Sequence, residues 1–251
     1  MRSCLRRAGS ARLTGSAGTA VVAAVALLAS SPLVFTGCGS EGERSEAAAI
    51  EQAAARAVPA GLAATESGAE DVIALALSGK RDAVVSRSSE LARAARGSSL
   101  PAASAPELRR RAARVTHLAR DGSFLEIALA ANAISELMPS LYRRYETPLS
   151  AGILALDYFD REAELRSLAR EPQAVAAAVR QLSRTWVRVE PEVVAAGGAD
   201  EAREFQAHVA AMLRLSASSA ERIQAEADHG LELVDRLEGV VRSRSPGRSE
   251  R

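Results

Sequence analysis

The sequence predicts an all-α fold, an antiparallel helical-hairpin bundle. Three observations carry that prediction. Apolar residues recur at three- and four-residue spacing along most of the chain beyond residue 66. No stretch alternates apolar and polar residues for long enough to make a strand. Clusters of Gly, Pro and Ser mostly separate the periodic segments, as short turns between neighbouring helices do. Aromatic residues make up only 3% of the chain, so the core has to be built from Leu, Val, Ile and Ala. Side chains this small let helices approach closely.

Taken in order, Ser45 is placed to cap a first, Ala-rich segment over residues 46–57, ended by Pro59 and Gly61. Over 66–95, Val72 and Leu75 lie before Ser78-Gly79-Lys80 and Val84 and Leu91 after it, which reads as helix, tight glycine turn, helix. Residues 97–106, rich in Ser, Pro and Ala, form a linker. The helical period resumes over 107–120 with Leu108, Val115 and Leu118 and stops at Asp121-Gly122-Ser123.

Ser123 and Glu126 have capping-box spacing. The helix they open runs from 124 to about 145, with Ile127, Ile134 and Leu141 on one face, and Pro139 is expected to kink or divide it. After a break at Thr147-Pro148 comes the most apolar helix, 149–170, with Ile153, Leu156 and Leu165. Pro172 suits the first turn of the next helix, which carries Val175, Val179, Leu182 and Trp186. Pro191 and Gly197-Gly198 read as punctuation, and Asp200 as the cap of a helix with Phe205, Val209 and Met212. The last helix, about 219–241, places Ile223, Ala227, Val234, Leu237 and Val241 at near-heptad spacing. At an offset of 91 residues, Leu77, Ala83, Val84, Leu91 and Arg93 fall on Leu168, Ala174, Val175, Leu182 and Arg184. Either the hairpins are duplicated or common residue types coincide.

The N-terminus has a separate logic. Arg2, Arg6, Arg7 and Arg12 precede an apolar run over residues 20–34, which closes on Leu33-Val34-Phe35-Thr36-Gly37-Cys38. A basic start, an apolar stretch and a small residue before the cut describe a secretory leader. Pro32 and Ser30-Ser31 interrupt the run, which disfavours a stable spanning helix. Thr36-Gly37-Cys38 resembles the lipobox of bacterial lipoproteins. That resemblance implies removal of residues 1–37 as a lipoprotein signal peptide and lipidation of Cys38 as the mature N-terminus. The expected organisation is then a lipidated Cys and tether over 38–65, a helical bundle domain over 66–241 and a polar tail over 242–251.

Composition narrows the function classes. The chain has 251 residues, with 32 Lys+Arg against 31 Asp+Glu. Four of the arginines belong to the leader and every acidic residue follows it, so the remainder is net negative and offers no general attraction to nucleic acid. The 2 cysteines are Cys4, in the leader, and Cys38, so a Cys-type zinc cluster and a disulfide within the domain are both excluded. No Gly-x-Ser-x-Gly elbow and no glycine-rich phosphate loop occurs, and a non-catalytic role is expected.

Several side chains stand out against this background. Asp157 lies beside the core stripe of the most apolar helix, four residues before Arg161, so the two can pair on one face. Asp235 and Glu238 hold a similar rim of the last helix. If these helices face each other, Asp157, Asp235 and Glu238 converge on Arg161 or on a cation. The alternative is an interhelical salt-bridge cluster on a solvated seam. His208 and Met212, four residues apart, either face a haem together or pack with Met212 in the core and His208 at its edge. Tyr142, Tyr145 and Trp186 either line a ligand cleft or fill the core. Arg109-Arg110-Arg111 with Arg114 is either a solvated face or a contact for lipid phosphates.

Leu156-Asp157-Tyr158, Trp186, Ala195-Ala196-Gly197-Gly198 and the run from Leu231 to Glu238 resemble the helical domains of hypothetical lipoproteins of GC-rich bacteria, a resemblance that implies no particular activity. The chain also looks like the imelysin-like bundles of iron-uptake systems, yet lacks their His-x-x-Glu motif. The function expected is a cell-envelope lipoprotein facing the periplasm or exterior, its helical domain binding or scaffolding. The expected partners are the membrane, through the lipid anchor, and a protein or small ligand. No cofactor and no nucleic acid are expected. The alternative is a periplasmic metal- or haem-binding accessory of an uptake system.

Overall fold

A computed structural model of the chain describes residues 57–145, 147, 150–215 and 219–244. The leader, Cys38, the segment 46–56 and residues 245–251 lie outside the described residues. The fold is all-α, a bundle of antiparallel helical hairpins. Among the described residues nine helices follow one another: α1 (Ala60–Leu77), α2 (Arg81–Gly97), α3 (Ala105–Asp121), α4 (Phe124–Ser135), α5 (Met138–Tyr142), α6 (Ala151–Leu168), α7 (Pro172–Ala195), α8 (Ala199–Leu215) and α9 (Ala220–Arg244).

Helix ends follow local chemistry. Ser123 caps α4 with a full capping box: its Oγ accepts from the Glu126 N–H at 3.2 Å, and a Glu126 carboxylate oxygen accepts from the Ser123 N–H at 2.8 Å. Ser150 caps α6 by accepting from the Ile153 N–H. Three boundaries differ from expectation and one follows it. Pro59 and Gly61 open a helix rather than close one, so the helical body begins at Ala60, inside the stretch expected to be tether. As expected, the stretch 124–145 is divided near Pro139, which enters the first turn of α5, where its missing N–H costs no bond. Pro191 lies within α7 without ending it. The carbonyl it leaves without a donor belongs to Val187, which is 67% exposed and faces water. Asp200 stands inside the first turn of α8, where its carboxylate meets the positive end of the helix dipole.

The helices close into two rings of four. In the first, α1 packs on α2, α2 on α3, α3 on α4 and α4 back on α1; in the second, α6 to α9 repeat that order. Each ring has its own core. Leu62, Leu91, Leu108 and Ile127 are fully or almost fully buried in the first, and Leu156, Leu182, Trp186 and Phe205 in the second. The rings meet where α6 packs against α4 and α5, and Leu154 and Leu165 of α6 enter the first core while Ile153 and Leu156 enter the second. The stretch Phe124–Tyr142 is apolar enough in length and composition to cross a membrane, but Ile127, Ala131 and Ile134 are fully buried in the first core.

The repetition is geometric as well as topological. Helices α1 and α6 have equal length and lie 91 residues apart, and α2 and α7 begin at the same offset. Gly79 (φ 68°) after α1 and Arg170 (φ 58°) after α6 hold the same left-handed position. The turns close alike, with the Lys80 N–H donating to the Leu75 carbonyl at 3.1 Å and the Glu171 N–H to Arg166 at 3.0 Å. Gly61 meets the backbone of Ser98 so closely that an added Cβ would lie 2.8 Å from it, and Gly152 is pressed against Val189 at the corresponding place. Common residue types do not account for matching contacts between unlike partners. The offset marks the same hairpin geometry at the start of each ring.

Candidate functional site

A cleft of about 320 Å³ opens where the two rings meet. Its walls come from three stripes at helical spacing: Ala63, Glu66 and Glu70 on α1; Leu154, Asp157 and Arg161 on α6; Leu231, Asp235, Glu238 and Arg242 on α9. Ser67 of α1, Ser135 of α4 and Met138 of α5 complete the lining. Asp157, Arg161, Asp235 and Glu238 are thus brought to one cleft. Asp157 and Arg161 could pair by spacing, but Arg161 Nη1 donates instead to Glu164 at 3.0 Å, one turn further along the same helix. Glu164 is 4% exposed, so this bond satisfies a carboxylate that has little water of its own.

Five carboxylates face two guanidinium groups around the cleft. Arg242 Nη2 donates to Glu238 at 2.7 Å, and the Tyr142 hydroxyl donates to Glu66. Glu70, Asp157 and Asp235 make no hydrogen bond or ion pair with any described residue. The acids raise one another. Partial burial, then the charges of Asp157, Glu66 and Glu238, push the Glu70 carboxyl up to about 8 against the pull of Arg161. Burial pushes Asp157 to about 6, with Arg161 opposing and Asp160 and Asp235 adding. Burial, opposed by Arg242 and reinforced by Asp157 and Glu66, brings Glu238 to about 7.

A second polar cluster joins α6, α8 and α9, and its two central side chains are closed off from water. His208 of α8 is 2% exposed and Asp160 of α6 is fully buried. His208 Nε2 is 2.9 Å from Asp160 Oδ1, and its Nδ1 is 2.9 Å from Glu226 Oε1 of α9. Two carboxylates on the two ring nitrogens call for an imidazolium that donates from both. Burial pulls the His208 pKa down, but the bonds and charges of Asp160 and Glu226 outweigh it, and the imidazole is held above its usual value. Gly230 makes room for the pair: an added Cβ there would meet His208 Nε2 and lie 2.6 Å from Asp160 Oδ2.

His208 therefore sits inside the core rather than at its edge, and neither ring nitrogen is left for a haem iron. Met212 is buried. Trp186 is fully buried, with its ring centroid 4.7 Å from that of Phe205 and its Nε1–H donating to Gln206 at 2.7 Å. It is core, while Tyr142 reaches the seam through Glu66. The basic run of α3 is partly tied within the fold, since Arg111 binds Glu107, Glu136 and the Ala133 carbonyl. Among the described residues no group of three or more His, Cys, Asp and Glu side chains has the geometry to hold a metal ion.

Glu66, Glu70 and Ser135 line the cleft from outside the predicted set. The signal for Glu66 was available: it lies 91 residues before Asp157, the offset of the repeated hairpin. Asp160 and His208 carry a signal as well. Asp160 falls in the stripe of Ile153, Leu156 and Ala163, and His208 in that of Phe205 and Met212; both occupy core positions with ionisable groups. Comparisons with protein-family models, with curated proteins and with solved structures find no match to this chain.

Proposed function

We propose that this chain is a non-catalytic cell-envelope lipoprotein, anchored to the membrane through Cys38, whose helical domain binds a small ligand in the cleft between its two rings. One observation carries the binding part. The cleft gathers carboxylates from α1, α6 and α9 and leaves three of them without a protein partner. Asp157 is half-buried and Glu70 and Asp235 are exposed at the cleft rim, and crowding their like charges together without compensation stabilises nothing within the fold. Such crowding concentrates where a ligand is to be met. The anchor rests on the lipobox-type ending Thr36-Gly37-Cys38. Two or more acyl chains would make the attachment durable.

Native mass spectrometry of the full chain extracted from host membranes tests both parts. The expected product carries acyl mass on Cys38 and a bound small molecule that is lost in Ala63→Trp, a substitution at an exposed residue of the cleft rim. Unmodified Cys38 would remove the anchor. A chain that carries no small molecule, or carries it equally in Ala63→Trp, would remove the binding role.

A further inference from the structure

The cleft is lined in pairs. Ala63 corresponds to Leu154, Glu66 to Asp157 and Glu70 to Arg161, each at the 91-residue offset, and Ser135 and Leu231 stand equally far into α4 and α9. The paired positions differ in charge, since Glu70 answers to Arg161 and Ser135 to Leu231, but acids outnumber bases five to two around the cleft. A ligand here has to be positive. Around the cleft the two guanidinium groups are already engaged, Arg161 by Glu164 and Arg242 by Glu238. The carboxylates of Glu70, Asp157 and Asp235 have no partner among the described residues.

A second, independent observation points to a ligand at this place. Ser135 is 7% exposed and lines the cleft, yet its hydroxyl makes no hydrogen bond with any described residue. The other buried serines, Ser88, Ser98 and Ser167, donate back to a carbonyl three residues earlier. The Ser135 oxygen has no partner among the described residues and opens onto the cleft, where it can accept a hydrogen bond from a ligand.

The form of the positive charge follows from the lining. A divalent ion asks several oxygens to converge within about 2.0–2.6 Å of one point. No group of acids among the described residues is arranged so. The acids are spread along the helices instead, with aliphatic side chains between them: Leu154, Met138 and Leu231. Glu66 and Glu70, one turn apart on α1, have their Cβ atoms about 5–6 Å apart. A propyl or butyl spacer between two ammonium groups has that reach. Methylene stems lie well on aliphatic surface while the charged ends stay with carboxylates, and each ammonium–carboxylate hydrogen bond is charge-assisted.

We propose that the cleft binds a linear aliphatic diammonium or polyammonium ion, of the class of putrescine and spermidine. Its ammonium groups are held by Glu66, Glu70 and Asp157 with the Ser135 hydroxyl, and its methylenes lie on Leu154 and Met138. The inference rests on the small-ligand reading of the cleft and names the class of ligand. The raised pKa values of Glu70 and Asp157 fit a site that lacks its counter-charge.

Titration calorimetry of the full chain in detergent decides it, with putrescine, spermidine, butylamine and magnesium ion as separate probes. The expected result is one site for putrescine or spermidine, at least tenfold tighter than for butylamine. Glu66→Gln and Asp157→Asn should each weaken it at least tenfold, while Asp200→Asn, at an exposed ion pair on α8, leaves it unchanged. Should the cleft variants fold poorly, the ratio of putrescine to butylamine on the unaltered chain still decides. Equal binding of the two amines, no binding of either diamine, or full affinity in both cleft variants would overturn the proposal. Magnesium binding that depends on Asp157, with no diamine binding, would overturn the ligand class alone. A small molecule of another class bound in the mass-spectrometric experiment would likewise leave the binding role standing.

Discussion

Nε2 of His208 lies 2.9 Å from Oδ1 of Asp160, both side chains sealed in the core of the second ring, and Glu226 holds the opposite ring nitrogen. The three residues come from α8, α6 and α9, so one imidazolium ties together three helices of that ring. An ion pair this deep gives back much of its Coulomb energy as desolvation, but removing one member leaves a bare charge inside.

His208→Ala is therefore expected to cost about 3–5 kcal/mol, because it strands Asp160. The double variant His208→Ala with Asp160→Ala should cost clearly less than the sum of the single changes. Urea denaturation followed by circular dichroism measures both. Additive losses would mean that the pair is not coupled.

Gly230→Ala places a methyl group against both members of the pair, with the Asp160 carboxylate 2.6 Å from the new Cβ. Overpacking at such a point costs about 1–3 kcal/mol. Gly239→Ala on the same helix meets nothing within 4 Å and should be neutral or slightly stabilising through helix propensity. A thermal melt of the two variants side by side separates this steric effect from a general effect of glycine replacement.

Stability should fall as pH rises from about 4.5 towards 8. The carboxyls of Glu70, Glu238 and Asp157 are raised in the fold, so over that interval the unfolded chain releases their protons first and gains relative to the native state. His208 acts in the same direction: its folded pKa is raised, so its contribution is complete below its unfolded value and is lost as pH passes the folded one. The double variant Glu70→Gln, Asp157→Asn should flatten the decline between pH 5 and about 8. A series of urea midpoints across pH reads the slope, and a stability rising over this range would contradict the assignment.

The repeated turn offers a test on the backbone. Arg170 occupies a left-handed conformation at φ 58°, where its counterpart Gly79 has no side chain to crowd. An L-residue there costs roughly 1–2 kcal/mol. Arg170→Gly should raise stability by about 1 kcal/mol and Gly79→Ala should lower it by a similar amount. Opposite shifts in denaturation midpoint are the expected result.

The amino-acid pattern by itself determined the helical class, the hairpin order and the position of most helix ends. These are local properties: three- and four-residue periodicity selects a helix, and Ser123 with Glu126, or Gly79 after Leu77, sets an end within a single turn. Pro59, Gly61 and Pro191 misled because what they do depends on neighbours, Ser98 behind Gly61 and open water beside Val187. The convergence of Asp157, Arg161, Asp235 and Glu238 was visible only on the condition that α6 and α9 face each other, and the rotation of each helix then decided that Arg161 binds Glu164. The contribution of Glu66, Glu70 and Ser135, and the burial of His208 against Asp160, were settled by tertiary structure. Both depend on how the two rings close and meet, which joins residues up to about a hundred positions or more apart, and no local periodicity carries that information.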